Sequence, residues 1–312
     1  MKMKIPFGKI LKILKKAVKS WWEKDPFRES AIIAYYAIFA LPGLLVVILT
    51  TAGYFFGNDA INNVITSQFA STMGADTALQ VQNIIVQASK AKNSVLATII
   101  GVIVMFVGAT GVFAQFQKSL NTIWEVKIDD TKSGIWDFVR IRLFSFGLII
   151  TIAFLLIVSL VISALLSAFG NWLSGHFSEA FYAALQVVNF IISFVILAVL
   201  FALMFKFLPD AKIKWKHVWI GSVVTAFLFG LGKFGLGLYF GKLTPEIGYG
   251  AAGSIILIML WVSYSSMIVF FGAEFTRAYA ISISGSVAPK DIAKIDNQGN
   301  PNYTESKIGF DV

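Results

Sequence analysis

Long uncharged runs of hydrophobic residues dominate the pattern along this chain. The clearest one extends from Ser30 to Asn58 and contains no Asp, Glu, Lys, Arg or His. About 20 apolar residues, each rising 1.5 Å along a helix, cross a hydrocarbon core of roughly 30 Å. This run is therefore long enough to form a membrane-spanning helix, even with some tilt.

Further stretches of the same character follow along the chain and predict an all-α membrane protein with six transmembrane helices. They lie in one domain, residues 30–281. The predicted spans are about 31–57, 94–117, 143–168, 181–205, 218–241 and 250–275.

The two ends of the chain are polar. In residues 1–29, lysines alternate with apolar residues that recur at spacings of three and four, which predicts a basic amphipathic helix lying in the plane of the membrane interface. Its expected partners are membrane lipids with anionic head groups. The charged, proline-containing segment 282–312 predicts a flexible cytoplasmic tail.

Composition and charge position fix the class and the expected orientation. Hydrophobic residues make up 57% of the chain and charged residues 14%, far from a soluble domain. With both termini cytoplasmic, 22 of the 26 Lys and Arg residues fall on the inner side, as the positive-inside rule requires. The net charge of +9 is thereby explained without nucleic acid.

Two ionisable features lie within predicted spans. Lys233 is charged inside span five, where it contacts an anionic substrate or lipid phosphate, or extends its long stem to the outer head groups. Glu274 and Arg277 are three residues apart near the inner end of span six. At that spacing they form either a structural ion pair or a proton-coupling site.

Polar side chains on one helix face give a second group of candidates for substrate or lipid contact. Gln186, Asn189 and Ser193 recur along one face of span four, where they either hydrogen-bond to other helices or line a wet cavity. Tyr35 and Tyr36 in span one are either interface anchors or gate residues.

Small residues and a proline predict how the helices pack. Pro42 frees a backbone carbonyl in span one and predicts a kink. G-x-x-x-G pairs, which allow helices to approach closely, occur at Gly53 with Gly57 and at Gly237 with Gly241. These contacts lie either inside one chain or between the subunits of a homo-oligomer.

The sequence lacks the residue sets that catalysis or metal binding would need. There is no cysteine, and the two histidines, His176 and His217, fall on opposite sides of the membrane in the expected topology. A metal-dependent nuclease needs clustered His and carboxylate ligands. We therefore expect no enzyme, no metal site and no cofactor.

Three stretches resemble the YihY/BrkB family of bacterial inner-membrane proteins. They are AIIAYYAIFALPGLL from Ala31, GATGVFAQFQKSLNTIWEV from Gly108, and YGAAGSIILIMLWVSYSSMIVFFGAEFTRAYA from Tyr249. The resemblance implies six helices, both termini inside, and a location in the bacterial inner membrane. Members have been named for serum resistance, labelled ribonuclease BN-like, or connected with export of a lipopolysaccharide precursor.

Three functions follow as hypotheses. The first is a transporter or flippase for an amphiphilic anionic lipid-like molecule, which the polar stripes, the glycine-rich spans and the family resemblance favour. The alternative is a membrane scaffold, assembly or envelope-integrity factor that does not transport. The third is the ribonuclease of the old family label.

Overall fold

The computed structural model describes residues 7–56, 62–63, 65–67, 70, 78–79, 81–83, 86, 95–129, 179–243, 253–290 and 292–296. Long helices dominate this part of the chain. In order, its elements are α1 (Phe7–Glu23), α2 (Pro26–Phe56), α3 (Val95–Trp124), β1 (Val126–Ile128), α4 (Glu179–Phe207), α5 (Trp215–Leu243), α6 (Gly253–Ser284) and β2 (Ala293–Ile295).

A tight turn separates the amphipathic helix α1 from α2. Asp25 adopts a left-handed backbone conformation with φ 52°, and the N–H of Asp25 donates to the carbonyl of Trp22. Pro26 then occupies the first turn of α2, where its missing N–H leaves no hydrogen bond unmade. The basic N-terminal segment is therefore a helix of its own.

Four helices are long and apolar enough to span a membrane among the residues that the structure describes. They are Ile103–Trp124, Phe190–Phe207, Trp215–Tyr239 and Ile255–Ser284. These stretches lie on α3, α4, α5 and α6, and they overlap four of the six predicted spans. The predicted span 143–168 lies outside the described residues, so the count of six stays a prediction.

The C-terminal segment (residues 285–290 and 292–296) is paired with two other parts of the chain. Its strand β2 runs antiparallel to β1, with Val126 opposite Ile295 and Ile128 opposite Ala293. Pro289 forms an isolated bridge with Ala211. This pairing differs from the flexible tail predicted from Ser282. The sequence did not reveal it, because backbone pairing with distant residues leaves no local hydrophobic pattern. Residues 297–312 of that predicted tail lie outside the described part.

The chain divides into two compact units. The first comprises Met1–Val18, Lys118–Ser222 and Ala273–Val312, and the second comprises Lys19–Gln117 and Val223–Gly272. In the first unit Leu120, Phe205 and Ile213 are almost completely buried. In the second, Leu236 and Leu257 form an apolar cluster with Leu260, Trp261 and Tyr264.

Glycines set the closest helix approaches within each unit. In the first unit a Cβ on Gly221 of α5 would collide with Thr276 of α6. In the second, a Cβ on Gly108 of α3 would collide with the backbone of Ala40 on α2. Small residues at these points let the helix backbones come close, which is how helices gain contact energy in lipid.

Candidate functional site

A basic pocket lies at the junction of α4 and α5 in the first unit. Its volume is about 550 Å³. Its lining is mostly lysine and aromatic side chains, namely Lys206, Phe207, Ala211, Lys212, Ile213, Lys214, Trp215 and Lys290. We call these residues the basic pocket.

The short connection between α4 and α5 places three of these lysines together. Lys206 is in the last turn of α4. Pro209 is the second residue after that helix, and a proline disfavours helical geometry in the residue before it, here Leu208. The chain then reverses through Lys212 and Lys214 and enters α5 at Trp215.

The fourth lysine comes from the C-terminal segment. The N–H of Lys212 donates to the carbonyl of Ala288 at 2.7 Å, and the N–H of Lys290 donates to the carbonyl of Asp210 at 2.8 Å. These bonds flank the bridge between Ala211 and Pro289. The C-terminal segment is thereby held along the α4–α5 connection, with Lys290 at the pocket.

Lys206 is held against an aromatic ring and a carbonyl. Its Nζ donates to the carbonyl of Ile213 at 2.5 Å and lies 5.7 Å from the centroid of the Trp215 ring. Phe207 packs edge-on against the same ring, with centroids 6.0 Å apart. A cation over an indole face is attracted by the ring quadrupole. The ring and the carbonyl therefore hold Lys206 in place, and no carboxylate is paired with it among the described contacts.

Lys290 is only partly hydrated. Its Nζ donates to the carbonyl of Phe207 at 3.2 Å. Burial lowers the pKa of Lys290 below the ordinary lysine value, the attraction of Asp210 opposes that shift, and the repulsion of Lys206 adds to it. The ammonium group is therefore partly desolvated, and the attraction of Asp210 outweighs the repulsion of Lys206.

A buried pair of hydrogen bonds ties the pocket connection to α3. The side-chain amide of Asn121 donates to the Asp210 carboxylate at 2.8 Å. In return, the Asn121 side-chain oxygen accepts from the Asp210 backbone N–H at 2.8 Å. Both residues are buried, so this pairing fixes the start of the connection that carries Lys212 and Lys214.

Two further charge pairs hold the C-terminal segment against β1. Lys127 Nζ lies 2.9 Å from Asp296 Oδ1, and Lys294 Nζ lies 3.1 Å from Asp129 Oδ1. Both pairs are partly exposed, so each contributes at most about 1 kcal/mol. They act on the same antiparallel ladder and favour its register.

The predicted pair of Glu274 and Arg277 lies within ion-pair distance. Arg277 Nη1 is 3.9 Å from Glu274 Oε2, with Glu274 buried at 1% side-chain exposure. Arg277 also pairs with Glu125, the residue with a positive φ of 54° that ends α3. This geometry fits the structural reading, and the coupling role stays a hypothesis.

Lys233 points outward from α5. It is exposed, as are its neighbours Leu231 and Phe234. A lysine on an apolar outward face matches the reading in which the stem extends along lipid to the head groups.

The tyrosine pair of α2 divides between two environments in the second unit. The Tyr35 side chain is 55% exposed, with its ring 5.0 Å from that of Phe39. The Tyr36 ring lies where a Cβ on Gly111 of α3 would be. Tyr36 therefore packs between helices, whereas Tyr35 remains on the surface.

The other predicted contact and packing residues are only partly described. Ser193 is half-buried on α4, and the side chains of Gln186 and Asn189 lie outside the described part. Pro42 is inside α2 without ending it. The surroundings of Gly53 in α2 and Gly241 in α5 are outside the described part, and Gly57 is outside the described residues altogether.

Gly237 has no close helix neighbour among the described residues. Gly237 is exposed, and an added Cβ there would meet no described atom within 4 Å. The physical reason is that Gly237 lies on the exposed side of α5, whereas Gly232 on the same helix faces Tyr264 and Ile268. A contact of Gly237 between subunits stays a prediction.

Lys290, Asn121 and Asp210 were not predicted from the sequence as site residues. Lys206, Lys212 and Lys214 entered only the count of inner-side charges that sets orientation, and Lys290 fell in the predicted tail. The sequence did contain one indication of the site: Pro209 ends the helical pattern of a predicted span, and Lys212 and Lys214 follow it closely. Among the described residues, no group of three or more His, Asp or Glu side chains stands close enough to hold a metal ion.

Comparison with known proteins gives a family match over most of the chain. The family model described as "Virulence factor BrkB" matches residues 17–293. A "UPF0761 membrane protein" of Tolumonas auensis is 36% identical over 72 residues, which is 23% of this chain and 24% of that protein. One of Verminephrobacter eiseniae is 32% identical over 83 residues, 26% of this chain and 20% of that protein.

These alignments with individual relatives are short. The chain spans about a quarter or less of the length of those two relatives, 24% and 20%. A Vibrio cholerae relative of the same name is 35% identical over 72 residues, 24% of its length. No solved structure matches the chain.

Proposed function

This chain belongs to the BrkB family of integral membrane proteins, and on that premise we propose that it is a transporter or flippase for an amphiphilic anionic molecule. The molecule is lipid-like, with an acidic head group and an apolar tail. The proposed location is the bacterial inner membrane, with both termini in the cytoplasm.

The basic pocket is the observation that supports this proposal. Four lysines line it, together with Phe207 and Trp215. The pocket stands at the end of two apolar helices that are each long enough to cross a membrane. Lysines suit an acidic head group, and aromatic residues at a helix end are typical of the membrane interface.

Exposed apolar surface beside the pocket suits the tail of such a molecule. Phe207 is 45% exposed, Trp215 42% and Trp219 44%. The Trp215 and Trp219 rings are 6.4 Å apart on one face of α5. An amphiphile that placed its head group among the lysines would find these rings next to its acyl chain.

Reconstitution into liposomes tests the proposal. The protein is incorporated into vesicles that carry a fluorescent phosphatidic acid, and the outer-leaflet label is quenched chemically with and without a pH gradient. We expect transfer of the acidic lipid faster than that of fluorescent phosphatidylcholine. Transfer no faster than in protein-free vesicles, under either condition, would refute the proposal.

The matched control uses a lysine next to the pocket. Lys216 is exposed on the first turn of α5 and does not line the cavity. Lys214→Gln and Lys216→Gln remove the same charge from neighbouring positions. We expect transfer to slow in Lys214→Gln and to persist in Lys216→Gln.

A second candidate function is a membrane scaffold that recruits partners without transport, and the surface of α1 favours it. This helix buries Ile13 and Ala17 but exposes Leu11, Val18 and Trp22. Its lysines, from Lys9 to Lys19, are all exposed as well. Deletion of residues 1–23 separates the two functions, because a scaffold loses its cellular phenotype while lipid transfer in vesicles persists.

A further inference from the structure

The lysines of the basic pocket come from two parts of the chain that are far apart in sequence. Lys206 lies in the last turn of α4, Lys212 and Lys214 belong to the α4–α5 connection, and Lys290 belongs to the C-terminal segment. We propose that these lysines form a phosphate-binding site that Lys290 completes, and that its ligand is the phosphate head group of the transported amphiphile. The second half of this inference rests on the proposed function.

The charge of the site favours a phosphate over a singly charged carboxylate. Four lysines line one cavity, and Asp210 is the carboxylate whose attraction acts on Lys290 among the described groups. That Asp210 carboxylate also accepts from Asn121. A phosphate monoester carries about −1.5 to −2 charges at neutral pH, so it offsets more of this excess than a carboxylate does.

The donors at this site suit a phosphate in geometry as well. Lysine is a compact point charge with three rotatable donors, and it binds phosphate oxygens from several directions. The lining residues include no arginine, so the lysines bind an anion as separate point charges rather than through a planar two-bond fork. A volume of about 550 Å³ exceeds a single phosphate and leaves room for the glycerol or sugar that carries it.

The surroundings of Lys290 favour the binding of an anion. Among the described residues its Nζ donates to a neutral acceptor, the carbonyl of Phe207. Burial lowers its pKa, and the attraction of Asp210 offsets only part of that shift. An added phosphate supplies further negative charge to this partly dry site, so binding would favour the charged form of Lys290.

Backbone pairing determines where Lys290 stands. The N–H of Lys290 donates to Asp210, and Pro289 bridges to Ala211. The lysine therefore enters the pocket only while the C-terminal segment is paired with the α4–α5 connection. A ligand that binds Lys290 together with Lys214 links the two segments and stabilises that pairing.

The experiment measures binding to the full-length protein in detergent. Two probes distinguish the source of the phosphate: glycerol 3-phosphate as the soluble head group, and short-chain phosphatidic acid as the lipid. Each is titrated calorimetrically against wild type, Lys290→Gln and Lys290→Arg, with Lys216→Gln as the matched control. Elution as a single species and unchanged tryptophan fluorescence show that each variant is folded.

We expect saturable binding of phosphatidic acid that weakens about tenfold or more in Lys290→Gln, since a charge-assisted hydrogen bond is lost. Lys290→Arg should restore most of the affinity, and Lys216→Gln should bind as wild type does. Affinity should fall with added salt, as expected for charges that remain partly hydrated.

Three results would overturn the inference. They are the absence of saturable binding of either probe, equal binding by wild type and Lys290→Gln, and an equal loss in Lys216→Gln. Binding of glycerol 3-phosphate without any preference for phosphatidic acid would refute the lipid head group as ligand. Failure of lipid transfer in vesicles, with binding intact, would refute the transport function and leave the phosphate site standing.

Discussion

Removal of the Asn121 side chain tests how the pocket connection is held. In Asn121→Ala, the Asp210 carboxylate loses an amide donor at 2.8 Å and the Asp210 backbone N–H loses its acceptor, also at 2.8 Å. Both partners are buried, with Asn121 7% and Asp210 3% exposed. Water therefore has little access to replace the lost bonds, and the substitution should be costly.

The magnitude follows from the two bonds. A hydrogen bond to a charged group contributes about 1.5–3 kcal/mol, and a buried N–H without an acceptor costs about 1–3 kcal/mol. Asp210 keeps other contacts, so we take the lower part of each range and expect a loss of about 3 kcal/mol in the free energy of unfolding. At roughly 2 °C per kcal/mol, as in larger domains, the melting temperature should fall by about 6 °C.

Thermal unfolding in detergent, followed by tryptophan fluorescence, measures this change. Thr122→Ala is the matched control, because Thr122 is the next residue on α3, is exposed, and its hydroxyl donates to the carbonyl of Lys118 on the same helix. Its effect should stay within about 0.5 kcal/mol. A decrease in melting temperature of less than about 2 °C in Asn121→Ala, or an equal decrease in the control, would refute the reasoning.

Three further predictions concern helix packing, titration and the α1–α2 junction. Gly221→Val should clash with Thr276 on α6, cost about 1–3 kcal/mol and lower the melting temperature. Gly237→Val should leave the melting temperature unchanged, because no described atom lies within 4 Å of an added Cβ there. Because the pKa of Lys290 is lowered, this lysine loses its charge as pH rises through a range below 10.5. Calorimetry should therefore show the phosphate affinity of wild type falling in that range, and a smaller fall in affinity for Lys290→Gln. Trp21→Phe removes the indole donor to a carbonyl of α6 and should cost about 1 kcal/mol in thermal unfolding, while the same change at the exposed Trp22 should be neutral.

The helices could be predicted from the sequence because their signals are local. An uncharged run of about 20 residues requires internally satisfied backbone hydrogen bonds in lipid, which leaves the helix as the available form. The amphipathic pattern of α1 is local in the same way. The break at Asp25 is less visible, although a proline at the following position favours the start of a new helix.

The two strands and the pairing of the C-terminal segment depend on contacts between distant residues. Each strand has three residues, too few to show an alternating pattern above background. The partners of Lys290 and Asp296 lie far away along the chain, at Asp210 and Glu125. Charge and proline content therefore suggested a flexible tail, although several backbone groups of this segment are hydrogen-bonded to distant residues.

The lysines of the α4–α5 connection show why a charge pattern alone did not reveal the candidate site. Orientation in a membrane depends on how many basic residues stand near the ends of the spans, and it depends little on which residue carries each charge. Binding depends on position: Lys214 lines the pocket, and Lys216 two residues later does not. One set of lysines can therefore set the topology and bind a phosphate. The two roles separate experimentally, because removing either charge should affect orientation alike, whereas only the loss of Lys214 should weaken binding.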